Sequence, residues 1–267
     1  YPLIRSQGAN LNGSLNYDVK SYNNTNFNTN TVVSAYNINN LSASLSGNMV
    51  DGLGYGAISS GSVGVIFGHL DTMATSPSTY GMYAIPNTSP TTYGVVTPSN
   101  FLKMSFAANR TQQLVADGST SLYAAVSGQF ASVNLNSAEQ IYLGGPYGVR
   151  AYPVAQSGGA QGGVLNLELK HQLQARLTVS TFFDAGVVQQ YKNTYPGWQG
   201  QTNANNTYSL MGAGFGLKWD YQGWGIAGMV AWKLGQNPLY SSTGQPVNTD
   251  GATTQPRGWI SASYSFQ

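Results

Sequence analysis

A single arginine stands inside a long stretch that is rich in glycine, tyrosine and proline. The stretch, EQIYLGGPYGVRAYPVAQSGGAQGG, covers residues 139–163, and its arginine is Arg150. A guanidinium can bind a carboxylate through two parallel hydrogen bonds. One carboxylate that could receive it is Asp184, which lies in a strand-like segment at 177–189. The chemistry to look for is an ion pair between a loop and a strand, and the alternative is a solvated arginine in the loop.

Other residue types that carry chemistry are sparse. The sequence has no Cys, no GxSxG motif, and only two histidines, His69 and His171. Alternation places both histidines on apolar strand faces, whereas a Ser-His-Asp hydrolase or a histidine metal site needs convergent polar partners. Glu168 and Lys170 share a polar face, where lining a pore is the simpler interpretation. We therefore predict no enzyme activity, no catalytic residue, no metal site and no cofactor.

Composition narrows the class of protein. Of the 267 residues 41% are hydrophobic and only 7% are charged, whereas roughly 25% are charged in a soluble domain. The 18 Tyr and 33 Gly favour β-structure, and the net charge of +2 gives no sign of nucleic-acid binding. The lack of cysteine fits either a reducing cytosol or a bacterial envelope. No apolar run approaches the ~18 residues of a membrane-spanning helix. Because the chain opens on Tyr1 without a leader, we interpret it as a processed or trimmed product.

Alternation of apolar and polar residues is the strongest structural signal. In the segment 260–266, Ile, Ala, Tyr and Phe alternate with three serines, which predicts a two-faced strand. Polar faces such as Asn166, Glu168 and Lys170 are too polar for the inside of a β-sandwich. A transmembrane barrel explains both faces, because lipid covers the apolar one and water fills the lumen. A soluble sandwich or solenoid with one wet face is the alternative, and it would not need aromatic residues near so many strand ends.

The pattern predicts an all-β, antiparallel transmembrane barrel region. A slip of the apolar phase between Ile38 and Leu41 predicts a bulge or a break in the second strand. Long connections at 192–206 and 236–255 alternate with tight turns, as in outer-membrane barrels, and this parity places the loop 145–162 on the outer side. An odd strand count does not close such a barrel, so the count is off by one or strands are missing at the front. We predict about eleven strands, at 9–22, 31–48, 57–72, 98–113, 119–133, 136–144, 163–174, 177–191, 207–220, 222–235 and 256–267.

Three short motifs follow one another along the chain. They are RTQQL at 110–114, SAEQIYLGGPYGVRAYP at 137–153 and FFDAGVV at 182–188. Together they resemble motifs of the TpsB transporters of two-partner secretion, the haemolysin and haemagglutinin secretion-activation proteins of the Omp85 superfamily. The resemblance covers nearly the whole chain. It identifies Gly144, Gly145, Val149, Arg150, Ala151 and Tyr152 as loop-motif positions, and Phe182, Asp184 and Gly186 as barrel-wall positions.

The resemblance implies a roughly sixteen-stranded barrel in the outer membrane of a Gram-negative bacterium. Residues 1–267 would be its C-terminal barrel region, with the loop 145–162 folded into the lumen, and without the POTRA domains and first barrel strands. The function implied is export of a large β-helical exoprotein of the TpsA type, an adhesin or haemolysin. The partners implied are that exoprotein and outer-membrane lipid, with no nucleic acid and no small-molecule substrate. The resemblance also implies a contact between Arg150 and Asp184.

Several alternatives stay open. Without the motifs, Arg150 could be a solvated loop charge and Asp184 a polar lining group. An Omp85 insertase, which folds other barrels into the membrane, would keep the same motifs, whereas a passive porin or an adhesive barrel would share only the barrel. The chain also departs from the family pattern, which carries acidic residues after the loop motif, and from the wider superfamily, which often has a glycine within the motif. The departures are Ala151, Gln156, Ala160 and Gln161, and the roles of the last three are not predicted.

Overall fold

The computed structural model describes residues 1–72, 97–195, 198–199, 205–241, 243–252 and 255–266. Within them the chain forms a single-turn 3₁₀ helix at Ser137–Glu139 and thirteen strands. No helix of the described part is both long and apolar enough to cross a membrane. The strands are β1 Pro2–Arg5, β2 Ala9–Asn26, β3 Thr31–Asp51, β4 Ala57–Thr72, β5 Asn100–Gln113, β6 Thr120–Ala131, β7 Ile141–Tyr142, β8 Gly158–Gly159, β9 Gln161–Gln174, β10 Leu177–Gln189, β11 Thr207–Tyr221, β12 Trp224–Leu234 and β13 Arg257–Tyr264.

Eleven of these strands form one antiparallel sheet in chain order. The two-residue strands β7 and β8 pair only with each other, so β6 is the direct neighbour of β9. One end of the sheet carries short turns, such as those at 175–176 and 222–223, and the other end carries the long connections. In outer-membrane barrels the long connections lie on the outer side. Parts of the predicted loops at 192–206 and 236–255 fall outside the described residues, at 196–197, 200–204, 242 and 253–254.

The two faces of the sheet differ as the alternation predicts. Leu169 of β9, Phe215 of β11 and Ile260 of β13 are large apolar side chains on the outer face, and all three are exposed. Exposed apolar surface that recurs along every strand is unfavourable in water and matches a lipid environment. The other face carries Glu168 and Asp184, which are largely covered by protein. The predicted all-β antiparallel sheet of two-faced strands is confirmed.

One predicted strand, 136–144, is wrong. Ala138 donates its backbone N–H to the Asn136 side chain at 2.9 Å, and this N-cap starts the 3₁₀ turn instead of an extended segment. Only Ile141–Tyr142 is extended there, as β7. The sheet still has eleven strands, because an additional strand, Pro2–Arg5, pairs with β2 at the edge of the sheet.

The predicted bulge or break near Ile38 is also wrong. The register between β3 and β4 is continuous from Tyr36 to Asp51. Tyr36 and Ile38 lie on the inner face, where they are buried in an apolar cluster, whereas Leu41 lies on the outer face and is exposed. The apolar side chains change from the inner to the outer face along β3 because this part of the inner face packs against protein. No bulge is needed to explain the change.

Candidate functional site

The connection between β6 and β9, residues 132–160, folds back over the inner face of the sheet, and we call it the inner loop. Its side chains Leu143, Val149 and Tyr152 have no exposed surface and pack with Val188 of β10. Burial of an aliphatic side chain of this size contributes about 1.5–3 kcal/mol, so the cluster fixes the loop in place. The cluster consists of Leu143, Val149, Ala151, Tyr152, Val164, Phe182, Val188, Tyr208, Leu210, Ala231 and Leu239.

The loop motif has a compact backbone of its own. Val149 donates its N–H to the carbonyl of Leu143 at 2.7 Å, and Gly145 donates to the carbonyl of Tyr152 at 3.1 Å. Gly145 has a φ of +119°, which side chains with a Cβ rarely adopt. A Cβ on Gly144 would lie only 2.2 Å from the carbonyl oxygen of Pro153. These positions keep the chain tight enough to present Arg150 to the sheet.

Arg150 binds two carboxylates of the inner face. Its Nε and Nη2 donate to the two oxygens of Asp184, at 3.0 Å to Oδ2 and 2.9 Å to Oδ1. Its backbone N–H donates to the same Asp184 Oδ2 at 3.0 Å. Its Nη1 donates to Glu168 Oε2 at 2.8 Å. Arg150 is 6% exposed and Asp184 is fully buried, and removal of one partner from a buried ion pair costs about 3–5 kcal/mol.

Neighbouring side chains hold this pair in one geometry. The guanidinium carbon lies 3.5 Å from the centre of the Phe182 ring, a cation–π contact. Asn166 donates to Asp184 Oδ1 at 2.7 Å and also to the carbonyl of Gly148 at 2.8 Å. Trp259 of β13 donates its indole N–H to the carbonyl of Arg150 at 2.8 Å. Burial alone would lower the pKa of Arg150, but the bonds to the two carboxylates raise that pKa above its ordinary value.

Two small positions of the wall make room for the loop. A Cβ on Gly186 would lie 3.2 Å from side-chain carbons of Leu143 and Val149. A Cβ on Gly212 would lie 2.6 Å from the Cβ of Ala151. Ala151 does not have a positive φ, so its backbone conformation does not require glycine. The inner loop therefore seats directly on the backbone of β10 and β11.

A second ion cluster holds the loop near its start. Glu139 is 2% exposed, and its carboxylate lies 2.7 Å from Lys20 Nζ and 2.6 Å from Lys103 Nζ. Asn40 donates to Glu139 Oε1 at 3.0 Å, and Gln129 donates to the Glu139 carbonyl at 3.0 Å. Burial alone would raise the pKa of Glu139, but the bonds from Lys103, Lys20 and Asn40 hold it below its ordinary value. Glu139 is therefore a bound carboxylate, and the strands that hold it are not those whose carboxylates bind Arg150.

The inner loop contacts strands that lie far apart in the sheet order. Lys20 is on β2, whereas Trp259 is on β13, nine inter-strand steps away. In a flat sheet those strands would be roughly 43 Å apart. The same loop binds both, through Glu139 and through the carbonyl of Arg150. The sheet therefore curves around the loop.

The three positions without predicted roles have distinct surroundings. Gln156 is 1% exposed and bonds two backbone groups of the connection between β12 and β13, the carbonyl of Val247 at 3.0 Å and the N–H of Thr249 at 2.8 Å. Ala160 is fully buried, and its carbonyl accepts from Gln129. Gln161 donates to Gln189 at 2.6 Å and accepts from Lys192 at 3.1 Å. Neutral residues suit all three positions.

The structure brings together most of the residues singled out from sequence. Arg150 meets Asp184 and Phe182, and Gly186 packs under Val149, whereas Gly144, Gly145 and Tyr152 shape and bury the loop. His69 and His171 lie exposed and hydrogen-bonded to Asn100 and Thr120. Among the described residues no group of three or more His, Cys, Asp or Glu side chains could hold a metal ion.

Sequence reasoning missed several partners. Strand parity places Glu168 and Asn166 on the same face as Asp184, and this signal could have found them. Nothing in the local pattern points from Glu139 to its two lysines. The partners that were missed are Lys20, Asn40, Lys103, Asn166, Glu168 and Trp259.

Comparison with known proteins gives a family and a fold. Residues 1–219 match the model of the haemolysin secretion/activation proteins ShlB/FhaC/HecB. The chain is 35% identical over 96 residues to the heme/hemopexin transporter protein HuxB of Haemophilus influenzae, a match that covers 34% of this chain and 17% of HuxB. HuxB of Haemophilus influenzae strain 86-028NP is 32% identical over 102 residues, 37% of this chain and 18% of that protein.

A solved structure shares the fold. CdiB from Escherichia coli aligns with a TM-score of 0.68 and 16% sequence identity, over 98% of this chain and 43% of CdiB. The chain thus spans less than half of CdiB, and its matched segment spans less than a fifth of HuxB. The structural match covers the eleven-stranded sheet together with the inner loop, and it supports the predicted outer-membrane β-barrel fold.

Proposed function

The chain belongs to the ShlB/FhaC/HecB family of haemolysin secretion/activation proteins, and from this premise we propose that it forms the pore of a two-partner secretion transporter. The pore exports a partner exoprotein across the outer membrane of a Gram-negative bacterium. The partner is a large β-helical protein of the adhesin or haemolysin type. The proposal includes the domain assignment, in which residues 1–267 are the C-terminal barrel region of a longer transporter. Family membership supports a transporter rather than an enzyme.

The observation that carries this proposal is the inner loop bound by Arg150 to the wall of the sheet. A passive porin has no need of a buried arginine that uses three side-chain nitrogens on two carboxylates. A loop held by side-chain contacts can move without breaking the strand pairing of the sheet. The Arg150 to Asp184 contact is then the anchor that positions the loop inside the pore.

Removing the loop tests this function. The full-length transporter lacking residues 146–162 should give larger or less stable channels in a planar bilayer than the unmodified protein, because the loop occupies the pore. Export of the partner exoprotein, produced together with the transporter, should fall in the same variant and in Arg150→Ala. The amount of protein inserted in the outer membrane serves as the control for Arg150→Ala.

Unchanged conductance would place the loop outside the pore and contradict the proposal. Export at the unmodified level in Arg150→Ala would remove the role given to the anchor. If loss of the protein impaired assembly of other outer-membrane barrels and left export intact, an insertase would replace the secretion pore.

A further inference from the structure

The Glu139 cluster has the properties of an anchor rather than of a lining group. Its carboxylate is almost fully buried and receives charged or polar hydrogen bonds from Lys20, Lys103 and Asn40. Lys103 and Gln129 also donate to the backbone carbonyl of Glu139, at 3.1 Å and 3.0 Å. A group that only lines a wet pore would keep its carboxylate in water. Here the wall binds both the side chain and the backbone of one loop residue.

The two ion clusters share no residue and no strand. The Glu139 cluster uses β2, β3, β5 and β6, whereas the carboxylates that bind Arg150 are on β9 and β10. Each has its own apolar cluster. Leu143 and Val149 pack near Arg150, and Leu135 and Ala160 pack in the cluster near Glu139. Sites without shared partners contribute to stability independently.

The two clusters bind different parts of the loop. Both are largely buried, because the side chains of Glu139 and Lys103 are 2% and 10% exposed and those of Arg150 and Asp184 are 8% and 0% exposed, whereas Lys20 is 40% exposed. Glu139 lies eight residues after the end of β6, at the base of the inner loop, and Arg150 lies at its tip. The base is held from one part of the sheet and the tip from another.

We propose that Glu139 is a second positioning residue, which pins the base of the inner loop to β2 and β5 independently of Arg150. When the tip leaves Asp184 and Glu168, the base stays bound, so the loop turns about Glu139 instead of leaving the pore. The inference rests on the proposed function in one respect, namely that the loop moves during export. The test of the inference measures the exposure of loop residues and does not require that the protein export a partner. The base anchor and the secretion function can therefore be rejected independently.

Site-specific labelling of two buried loop positions tests the inference. These 267 residues contain no cysteine, and any cysteine elsewhere in the transporter is replaced by serine. Val149→Cys then reports on the tip and Leu135→Cys on the base; both side chains are buried and both changes reduce volume. Each reporter is combined with Glu139→Gln or Asp184→Asn in the full-length transporter. These matched changes each remove one negative charge with little change of shape. A membrane-impermeant maleimide is then applied to outer membranes.

Glu139→Gln should raise labelling at position 135 about tenfold, equivalent to about 1.4 kcal/mol of lost protection. Labelling at position 149 should stay within about twofold, because independent sites do not transmit the change. Asp184→Asn should give the reverse pattern. If position 135 stays protected in Glu139→Gln, or if both positions become labelled equally, the loop has no separate base anchor.

A milder change keeps the test decisive if Glu139→Gln fails to insert. Lys20→Gln leaves Lys103 in contact with Glu139 and alters a partly exposed side chain. It should raise labelling at position 135 by a smaller factor and leave position 149 unchanged. Glu139→Asp, which keeps the charge, should protect position 135 better than Glu139→Gln. Labelling at position 135 that stays unchanged in Lys20→Gln would overturn the inference.

Discussion

Gln156 joins two loops through a single buried amide. Its Oε1 accepts from the N–H of Thr249, and its Nε2 donates to the carbonyl of Val247. An amide supplies a donor and an acceptor, whereas an ionised carboxylate supplies acceptors only. By the motif resemblance, relatives carry acidic residues in this part of the loop. The neutral residue here fits the pair of backbone groups that it meets.

Gln156→Glu should weaken the contact between the inner loop and residues 235–256. The new carboxylate would face the carbonyl of Val247 without a donor between them, at a cost of about 1–3 kcal/mol. Urea unfolding of the full-length protein would measure the loss. Gln161→Glu is the matched control, because Gln161 already accepts from Lys192 and its other partner, the amide of Gln189, can rotate to donate to the new carboxylate. It should change stability by less than about 1 kcal/mol. Equal effects of the two changes would contradict this account of Gln156.

The two faces of the sheet lie in different environments. On β9, Leu169 lies on the exposed apolar face, whereas Glu168 points inward to Arg150. One residue of shift would exchange the two faces, so the pairing register of β9 with β6 and β10 fixes which groups meet the loop. The lipid-facing side and the loop-binding side are therefore specified by the same alternation.

A charge on the outer face of β9 should impair membrane insertion. Leu169→Arg is expected to cost about 2–4 kcal/mol if the residue lies near the bilayer midplane. Gln172→Arg, on the inner face of the same strand, should be tolerated within about 0.5 kcal/mol. The folded fraction in outer membranes, read from heat-dependent gel mobility, would compare them. Equal tolerance of the two arginines would reject the assignment of faces.

Periodicity predicted the strands well because it depends on adjacent residues. The inward direction of Asp184 followed from the alternation in β10, and ten of the predicted segments are strands of the sheet. It failed at 136–144, where the Asn136 cap outweighs the alternating pattern. It also missed the bond between Glu139 and Lys20, which are 119 residues apart. Such contacts depend on how the sheet curves around the loop, and alternation does not encode that curvature.

The inner loop is part of the fold of the whole chain. Both apolar clusters of the described residues contain loop side chains, such as Tyr152 in one and Leu135 in the other. The sheet supplies the wall and the loop supplies much of the buried core. Under the proposed function this loop is an element of the pore, and two separate clusters of contacts attach it to the sheet.

The most direct test of the anchor is a double-mutant cycle on export. Arg150→Ala, Asp184→Ala and the double variant are compared with Lys218→Ala, Asp220→Ala and their double variant, a pair 2.8 Å apart but 58% and 51% exposed. The exposed pair should couple by less than about 1 kcal/mol. The buried pair should couple by about 1–3 kcal/mol.

Arg150→Ala and Asp184→Ala should each reduce export sharply while the amount of inserted protein stays normal. Export by the double variant should lie within about twofold of export by the more impaired single variant. Normal export by the single variants, or a double defect equal to the product of the two, would contradict the claim that this contact holds the loop.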